Sequence, residues 1–328
     1  MKVVIRADSG PTVGVGHAMR SGVLGAALRR RGHTVTAVLG EVPMFVTVRY
    51  EASDIPIVDI AGSGVDVVLG LQPDVVIVDG YRLDAEAAAL DARDLPLVMI
   101  DDNNELPVEL ASVVVNQNLH ATGVEYPPAH RPDRRLLLGS EFALIRADVL
   151  AVERSGGSGV LVAMGGTDPQ RLTLPIVAGL LASTDVAVQA VLGADHPDHA
   201  DLAAMVGDRF RFADSDLVDA MSSARLAVIG GGSTLWEVAV LGIPSVAAIV
   251  ADNQEDGSRA AERAGFVSVV DARHRTTAAD EIVATAAPIL SDPARCDSMA
   301  RAGRSMFDGR GVERVATAVE RLGTSSAT

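Results

Sequence analysis

A glycine-rich turn near the start of the chain carries the residue best suited to acid–base chemistry. His17 follows Gly14 and Gly16 in the segment RADSGPTVGVGHAMR (6–20), directly after an apolar run. Glycines let the backbone approach a ligand closely, and a helix that begins beside them favours an anion. Histidine titrates near neutral pH and can take a proton from water or an alcohol. We therefore predict a catalytic base at His17; the alternative is a histidine that only packs or caps the helix.

A second glycine cluster predicts a diphosphate-binding loop. In VIGGGSTLWEVAVLGIPSV (228–246), Gly231 and Gly232 end an apolar run, and Ser233 and Thr234 begin a predicted helix. Backbone N–H and hydroxyl groups in such a turn bind phosphate. Glu237 lies one turn into the helix, where its carboxylate could accept hydrogen bonds from ribose hydroxyls. The alternative is an ordinary turn in which Glu237 forms a salt bridge.

Other polar clusters also follow apolar runs, as ligand-binding residues do in parallel α/β sheets. They occur in VDGYRLD (78–84), VVNQN (114–118), AMGGTDP (163–169) and ADNQ (251–254). With the first turn, they complete the predicted substrate-binding set: Asp8, Gly14, Gly16, Arg20, Tyr81, Gly165, Gly166, Thr167, Asn253 and Gln254.

The elements that position these residues form an α/β pattern. Short apolar runs alternate with helical patterns along the chain, which predicts two Rossmann-like domains, each with a parallel sheet. Predicted strands lie at 3–7, 34–39, 75–79, 97–101, 112–117, 160–166, 186–193, 209–213, 226–230 and 245–250. Predicted helices lie near 17–31, 84–93, 169–183, 215–223, 233–241, 255–264, 278–290 and 295–321.

The segment ERSGGSG (153–159) is small, polar and rich in Gly and Ser, which is typical of a linker. We therefore predict an N-terminal domain at 1–152, with the catalytic base, and a C-terminal, nucleotide-binding domain at 159–328. The last helix is a candidate for packing back onto the N-terminal domain.

Composition excludes several classes of function. The net charge of −15 and the aromatic content of 3% disfavour a nucleic-acid partner, which needs a basic face or a stacking platform. The apolar runs are far shorter than the roughly 20 residues of a membrane span, and the N-terminus lacks a signal-peptide pattern. We expect a cytoplasmic protein without a metal or cofactor. Cys296 is the single cysteine, so no intramolecular disulfide can form.

A dinucleotide site is disfavoured because the first turn does not follow G-x-G-x-x-G. Counted from Gly14 and Gly16, the last glycine of the motif would fall at Met19. An NAD-linked enzyme and a catalytically silent sugar-nucleotide sensor remain the alternatives from other functional classes.

The combined motifs resemble a known superfamily from about residue 1 to 320. GVGHAMR, DGY, NQN, LLLG…FALIR (136–146), GGTDP, GGGSTLWE and DNQ are similar to the nucleotide-sugar hydrolases of the pseudaminic acid pathway. They equally resemble the spore-coat-polysaccharide relatives described as predicted glycosyltransferases. The resemblance implies glycosyltransferase B-type architecture. The sequence differs from the family pattern at DDNNELP (101–107) and at GPTV after Ser9.

By this resemblance, His17 matches a histidine that activates water, and Gly231, Gly232, Ser233 and Glu237 match a nucleotide-diphosphate loop. Asn253 and Gln254 match an element near the sugar and phosphates, and Tyr81 a cleft tyrosine. The implied function is metal-independent hydrolysis of a UDP-sugar with inversion. The alternative is an inverting transferase that moves the sugar to a natural-product or polysaccharide acceptor.

Overall fold

The chain folds into two compact α/β units. The computed structural model describes residues 1–10, 15–60, 63–81, 83–154, 156–165, 168–194, 196–213 and 217–325. Unit 1 contains Met1–Ile145 and the C-terminal segment from Gly309, and unit 2 contains Arg146–Asp308. No helix in these described ranges has the length and apolar composition needed to cross a bilayer.

Unit 1 contains a seven-stranded parallel sheet with the order β3-β2-β1-β4-β5-β6-β7. Its strands are β1 (Lys2–Ala7), β2 (Thr34–Leu39), β3 (Ile57–Asp59), β4 (Val75–Asp79), β5 (Leu97–Ile100), β6 (Val113–Asn116) and β7 (Arg135–Leu138). Its helices are α1 (Gly16–Arg30), α2 (Met44–Ala52), α3 (Gly64–Gly70), α4 (Asp84–Asp91) and, after unit 2, α13 (Gly311–Ser325). Short 3-10 turns occupy Val108–Leu110, Ala121–Gly123 and Ser140–Phe142.

Unit 2 contains a six-stranded parallel sheet with the order β10-β9-β8-β11-β12-β13. Its strands are β8 (Gly159–Ala163), β9 (Val188–Val191), β10 (Phe210–Ala213), β11 (Ala224–Gly230), β12 (Ser245–Ile249) and β13 (Val267–Asp271). Its helices are α5 (Ala147–Leu150), α6 (Thr173–Ser183), α7 (His199–Ala204), α8 (Leu217–Ser223), α9 (Thr234–Val240), α10 (Glu255–Arg263), α11 (Ala278–Leu290) and α12 (Pro293–Met306), with a 3-10 turn at Asp252–Gln254.

The predicted fold class is confirmed. Central strands such as β4 and β12 are buried along their whole length, because helices cover both faces of a parallel sheet. The sequence did not predict β3, β7, β13, α2, α3, α5 or α7. The three missed strands have three to five residues and lie at sheet edges, where the apolar run is short.

The structure divides the chain at a different place from the predicted linker. The segment 153–159 belongs to unit 2, where the Arg154 guanidinium donates to the backbone carbonyls of Ala224, Leu241 and Gly242. These hydrogen bonds attach the segment to unit 2, so the division falls after Ile145.

The predicted last helix at 295–321 is wrong as a single element. It is two helices, α12 and α13, because the backbone turns extended at Phe307, with φ of −129° and ψ of 121°, directly after Met306. Val312, Val315 and Val319 of α13 then join the hydrophobic core of unit 1.

Gly303 provides a test of how α9 is held in unit 2. A Cβ at Gly303 in α12 would lie 2.8 Å from the backbone oxygen of Ala239 in α9, so one helix must shift. We expect Gly303→Ala to lower the free energy of unfolding by about 1–3 kcal/mol, as overpacking does. The control is Gly70→Ala in α3, where nothing lies within 4 Å of the added carbon.

Gly70→Ala should leave the stability unchanged or raise it by up to about 1 kcal/mol, because alanine favours the helix. Urea unfolding of both variants measures the difference. Equal free energies of unfolding for Gly303→Ala and Gly70→Ala would show that α9 and α12 are not in backbone contact.

Candidate active site

The side chain of His17 is held by a buried carboxylate. His17 lies in the first turn of α1, and its Nδ1 is 2.7 Å from Oδ1 of Asp79, the last residue of β4. Asp79 has no exposed surface and His17 is 5% exposed. A carboxylate only accepts hydrogen bonds, so this contact places a proton on Nδ1 and leaves Nε2 as the basic nitrogen. Nε2 forms no hydrogen bond with any residue in the described ranges.

Tyr81 and Asp8 border this histidine. The rings of His17 and Tyr81 meet edge to face, with centroids 4.4 Å apart. The backbone N–H of Tyr81 donates to Oδ2 of Asp8 at 3.0 Å. The turn after β4 is therefore fixed against the end of β1, and it places the Tyr81 ring against the imidazole.

Arg20 is one helical turn after His17 and binds two carboxylates. Its Nε and Nη2 donate to Asp79 at 2.7–3.1 Å, and its Nη1 donates to both oxygens of Asp102 at 2.7 and 2.8 Å. Nη2 also passes 3.3 Å from Nδ1 of His17, but both groups are donors, so this is a contact and not a hydrogen bond. The sequence predicted that Arg20 binds substrate. In the structure, Arg20 positions Asp79. Whether Arg20 also binds substrate stays untested.

The charges of this cluster stabilise one another. Burial alone would lower the pKa of Arg20, but attraction and hydrogen bonds from Asp102 and Asp79 raise it well above its usual value. Burial alone would raise the pKa of Asp102, but the charge and hydrogen bonds of Arg20, with a hydrogen bond from Asn118, lower it. The neighbouring Asp101 differs: burial raises its pKa, although three backbone N–H groups donate to its carboxylate.

Asparagines at the end of β6 complete the cluster. The side-chain amide of Asn118 donates to Oδ1 of Asp102 at 2.7 Å, and that of Asn116 donates to the Asp102 backbone oxygen at 2.7 Å. Asn116 also donates to the hydroxyl of Tyr126 at 2.9 Å, and burial raises the pKa of Tyr126 to about 12. The carboxyl ends of β1, β4 and β6, with the loop after β5, thus carry one connected polar network.

In unit 2, two of the predicted loop glycines differ in what surrounds them. A Cβ at Gly231 would overlap Oγ of Ser258, a fully buried hydroxyl without a hydrogen-bond partner among the described residues. Gly231 is therefore explained by packing against α10. Gly232 is exposed, has no left-handed φ, and would have nothing within 4 Å of an added Cβ. No contact within the described part of the protein explains a glycine there.

Glu237 forms the salt bridge that the sequence left open as the alternative. Nε of Arg146 donates to Oε1 of Glu237 at 2.6 Å, and Nη2 donates to Oε2 at 3.1 Å. Both side chains are about nine-tenths buried. The prediction that Glu237 contacts a ribose stays untested, since the carboxylate oxygens keep further lone pairs.

The remaining predicted residues of unit 2 lie at strand ends or helix starts. Ser233 and Thr234 are half-buried at the beginning of α9. Oε1 of Gln254 accepts from the backbone N–H of Val250 at 3.0 Å, and Asn253 is exposed. Gly165 is exposed with a φ of 106°, which favours glycine.

In unit 1, Gly16 begins α1 and is exposed. Gly14, Gly166 and Thr167 were also predicted to bind substrate, but they lie outside the described residues.

The sequence missed the carboxylates that organise His17. Asp79 ends the predicted strand VVIVD (75–79), so a polar residue at the carboxyl end of a buried strand was the available signal. Asp102 lies in the segment DDNNELP, which was noted only as a departure from the family pattern. Neither pairing could be predicted from spacing, because 62 and 82 residues separate the partners along the chain.

Sequence comparisons find distant relatives. No family model matches the chain. It is 24% identical over 276 residues to the uncharacterized protein MJ1062 of Methanocaldococcus jannaschii, covering 75% of this chain and 55% of that protein, so it spans about half the length of that relative. It is 22% identical over 346 residues to the spore coat polysaccharide biosynthesis protein SpsG of Bacillus subtilis, covering 98% of each chain.

Solved structures share the fold at low sequence identity. UDP-GlcNAc 2-epimerase from Neisseria meningitidis, bound to UDP-GlcNAc, has a TM-score of 0.69 and 12% identity, covering 98% of this chain and all of that one. MurG of Acinetobacter baumannii has a TM-score of 0.65 and 16% identity over 98% of this chain and all of MurG. The spinosyn rhamnosyltransferase SpnG, complexed with thymidine diphosphate, has a TM-score of 0.65 and 16% identity, covering 97% of this chain and 99% of SpnG.

These comparisons confirm the predicted architecture and agree with the spore-coat part of the predicted resemblance. They do not support the pseudaminic acid hydrolase part.

The lowered pKa of Asp102 gives a prediction for stability. A carboxyl group whose pKa is lower in the folded than in the unfolded state stabilises the protein above its unfolded pKa, and this stabilisation is lost as the pH falls through its folded pKa. Asp102→Asn should therefore lower the free energy of unfolding by about 1.5–3 kcal/mol at pH 7, the range for a hydrogen bond to a charged group. The deficit should shrink below about pH 4.

The control is Asp91→Asn, which removes a carboxylate that is paired with Arg131 and 25% exposed. Its effect should be about 0–1 kcal/mol. Urea unfolding at pH 7 and pH 3.5 measures both variants. A deficit for Asp102→Asn that is no larger than the control, or that does not change with pH, contradicts the prediction.

Proposed function

We propose that this chain is an inverting glycosyltransferase that uses a nucleoside-diphosphate sugar as donor and a hydroxyl group as acceptor. The observation that carries the proposal is the His17–Asp79 pair. A buried carboxylate at 2.7 Å fixes the tautomer and orientation of the imidazole, and a polarised imidazole of this kind is a general base for an alcohol.

The reaction is a single displacement. Nε2 of His17 takes the proton of the acceptor hydroxyl as its oxygen forms a bond to the anomeric carbon. The bond between that carbon and the diphosphate oxygen breaks, and the nucleoside diphosphate leaves with the bonding electrons. The imidazolium that forms is stabilised by Asp79, whose carboxylate is already held in place by Arg20.

Unit 2 has the residues proposed for the donor diphosphate. Gly232 follows β11 at the exposed end of the strand, and Ser233 and Thr234 provide hydroxyl and backbone donors next to it. A diphosphate oxygen that approaches the Gly232 backbone closely would explain the missing side chain there. The proposed donors are UDP- and TDP-sugars.

Transfer is preferred over hydrolysis because of the proteins that the chain resembles. SpnG, whose fold it shares, is named as a rhamnosyltransferase, and the SpsG relative is named for polysaccharide biosynthesis. Both names fit a hydroxyl acceptor on a natural product or a polysaccharide. Water in place of the acceptor would give hydrolysis with the same base.

The first test follows release of the nucleoside diphosphate from UDP- and TDP-sugars, with and without hydroxyl acceptors. We expect release to require an acceptor, and His17→Ala to lower kcat/KM by about 10²–10⁴-fold. His33→Ala is the matched control, since His33 also lies in unit 1 and its Nε2 is 2.9 Å from Oε1 of Glu320. It should keep full activity.

Release in water alone, lost in His17→Ala, would make the protein a hydrolase. Full activity of His17→Ala would remove His17 as the base. Tight nucleotide binding without turnover of any donor would favour a sugar-nucleotide sensor.

The second test concerns Gly232. A Cβ at Gly232 meets nothing within 4 Å, so Gly232→Ala should leave the free energy of unfolding within about 0.5 kcal/mol of wild type. The added methyl group should nevertheless weaken UDP and TDP binding about tenfold or more, because it occupies the space proposed for the diphosphate. Isothermal titration calorimetry measures the affinity.

The control is Gly207→Ala, also in unit 2, where the nearest atom to the added carbon is 3.9 Å away. It should change neither stability nor affinity. Unchanged nucleotide affinity in Gly232→Ala would show that the diphosphate does not contact this turn.

A further inference from the structure

Unit 1 contains a pocket of about 570 Å³ that takes no part in the proposed reaction. Five arginines and one carboxylate line it, and we call it the arginine pocket: Arg31, Arg135, Arg310, Glu313, Arg314 and Arg321. This concentration of positive charge is unusual in a chain with a net charge of −15. Guanidinium groups placed together repel one another, so their grouping has a cost that a bound anion would offset.

The arginine pocket is remote from His17. Arg31 directly follows α1, whereas His17 lies in its first turn. A helix of 15 residues is roughly 22 Å long, so the whole length of α1 separates the two places. The pocket is completed by β7, an edge strand of the sheet, and by one face of α13.

Several of these arginines have partners within the protein. Glu313 and Glu320 both form ion pairs with Arg31. Nη1 of Arg314 donates to the backbone oxygen of Glu141 at 2.8 Å, and Arg310 and Arg321 also have partners.

Arg135 is the strongest sign of a missing ligand. It begins β7 and lines the pocket, yet its guanidinium has no hydrogen bond or ion pair with any residue in the described ranges. Its Nη1 is covered by protein and unpartnered, and a covered donor without an acceptor costs free energy.

We propose that the arginine pocket binds a small organic molecule that bears a phosphate or diphosphate group, with Arg135 as its principal contact. A guanidinium group can donate two parallel hydrogen bonds to the oxygens of a phosphate. Several guanidinium groups around one pocket therefore suit a multiply charged anion. Leu137 and Phe142 also line the pocket and provide apolar surface for the organic part of the ligand.

The test uses inorganic pyrophosphate as the probe and the full chain at low ionic strength, where such contacts are least screened. Isothermal titration calorimetry compares wild type with Arg135→Gln, Arg135→Lys and Arg93→Gln. Arg93 is an exposed arginine of the same unit outside the pocket, so Arg93→Gln removes the same charge elsewhere.

We expect Arg135→Gln to weaken pyrophosphate binding about tenfold or more and Arg93→Gln to leave it unchanged. Arg135→Lys should cause an intermediate loss, because it keeps the charge but not the paired donors of the guanidinium. The loss of affinity caused by Arg135→Gln should be the same in a Gly232→Ala background, where binding at the proposed donor site is already weakened, and this separates the two sites. Thermal unfolding of Arg135→Gln verifies that the variant is folded.

Three outcomes would overturn the proposal. These are the absence of pyrophosphate binding by wild type, an equal loss in Arg93→Gln, and a loss in Gly232→Ala without one in Arg135→Gln. None of them depends on whether the protein transfers a sugar, so the proposed function and this inference fail independently.

Discussion

The buried carboxylate of Asp79 is the interaction on which the candidate active site depends. It accepts hydrogen bonds from His17 and Arg20, which lie one turn apart on α1, and so joins the helix to the end of β4. A carboxylate without exposed surface is costly unless charged donors surround it. Arg20 meets that requirement and is in turn neutralised by Asp102. The orientation of the imidazole therefore depends on several buried charged side chains that stabilise one another.

In unit 1, the hydrophobic core holds the elements together, and a separate polar network orients His17. The hydrophobic core below the sheet, including Val312, Val315 and Val319 of the returning α13, holds β1, β4 and α1 together. Hydrogen bonds of the polar network at the carboxyl ends of the strands then fix the position and orientation of the His17 ring. Packing alone does not specify a tautomer, whereas a carboxylate on Nδ1 does.

In unit 2, glycines lie where two elements approach each other closely. Gly303 allows α12 to contact α9, and Gly231 allows the turn after β11 to pack on α10. Neither packing nor backbone conformation in the described residues requires a glycine at Gly232. Its position next to the hydroxyls of Ser233 and Thr234 at the start of α9 is the reason for proposing the donor diphosphate there.

The α/β class, the parallel sheets and the turn that carries His17 could be predicted from the amino-acid sequence. Buried parallel strands read as continuous apolar runs, and glycine clusters mark the strand ends. The contacts of Asp79 and Asp102 with α1, the pairing of Glu237 with Arg146, and the return of α13 to unit 1 became visible in the folded protein. These contacts join residues far apart in the chain, and local pattern contains no information on which distant partner a charged side chain meets once the sheets have assembled.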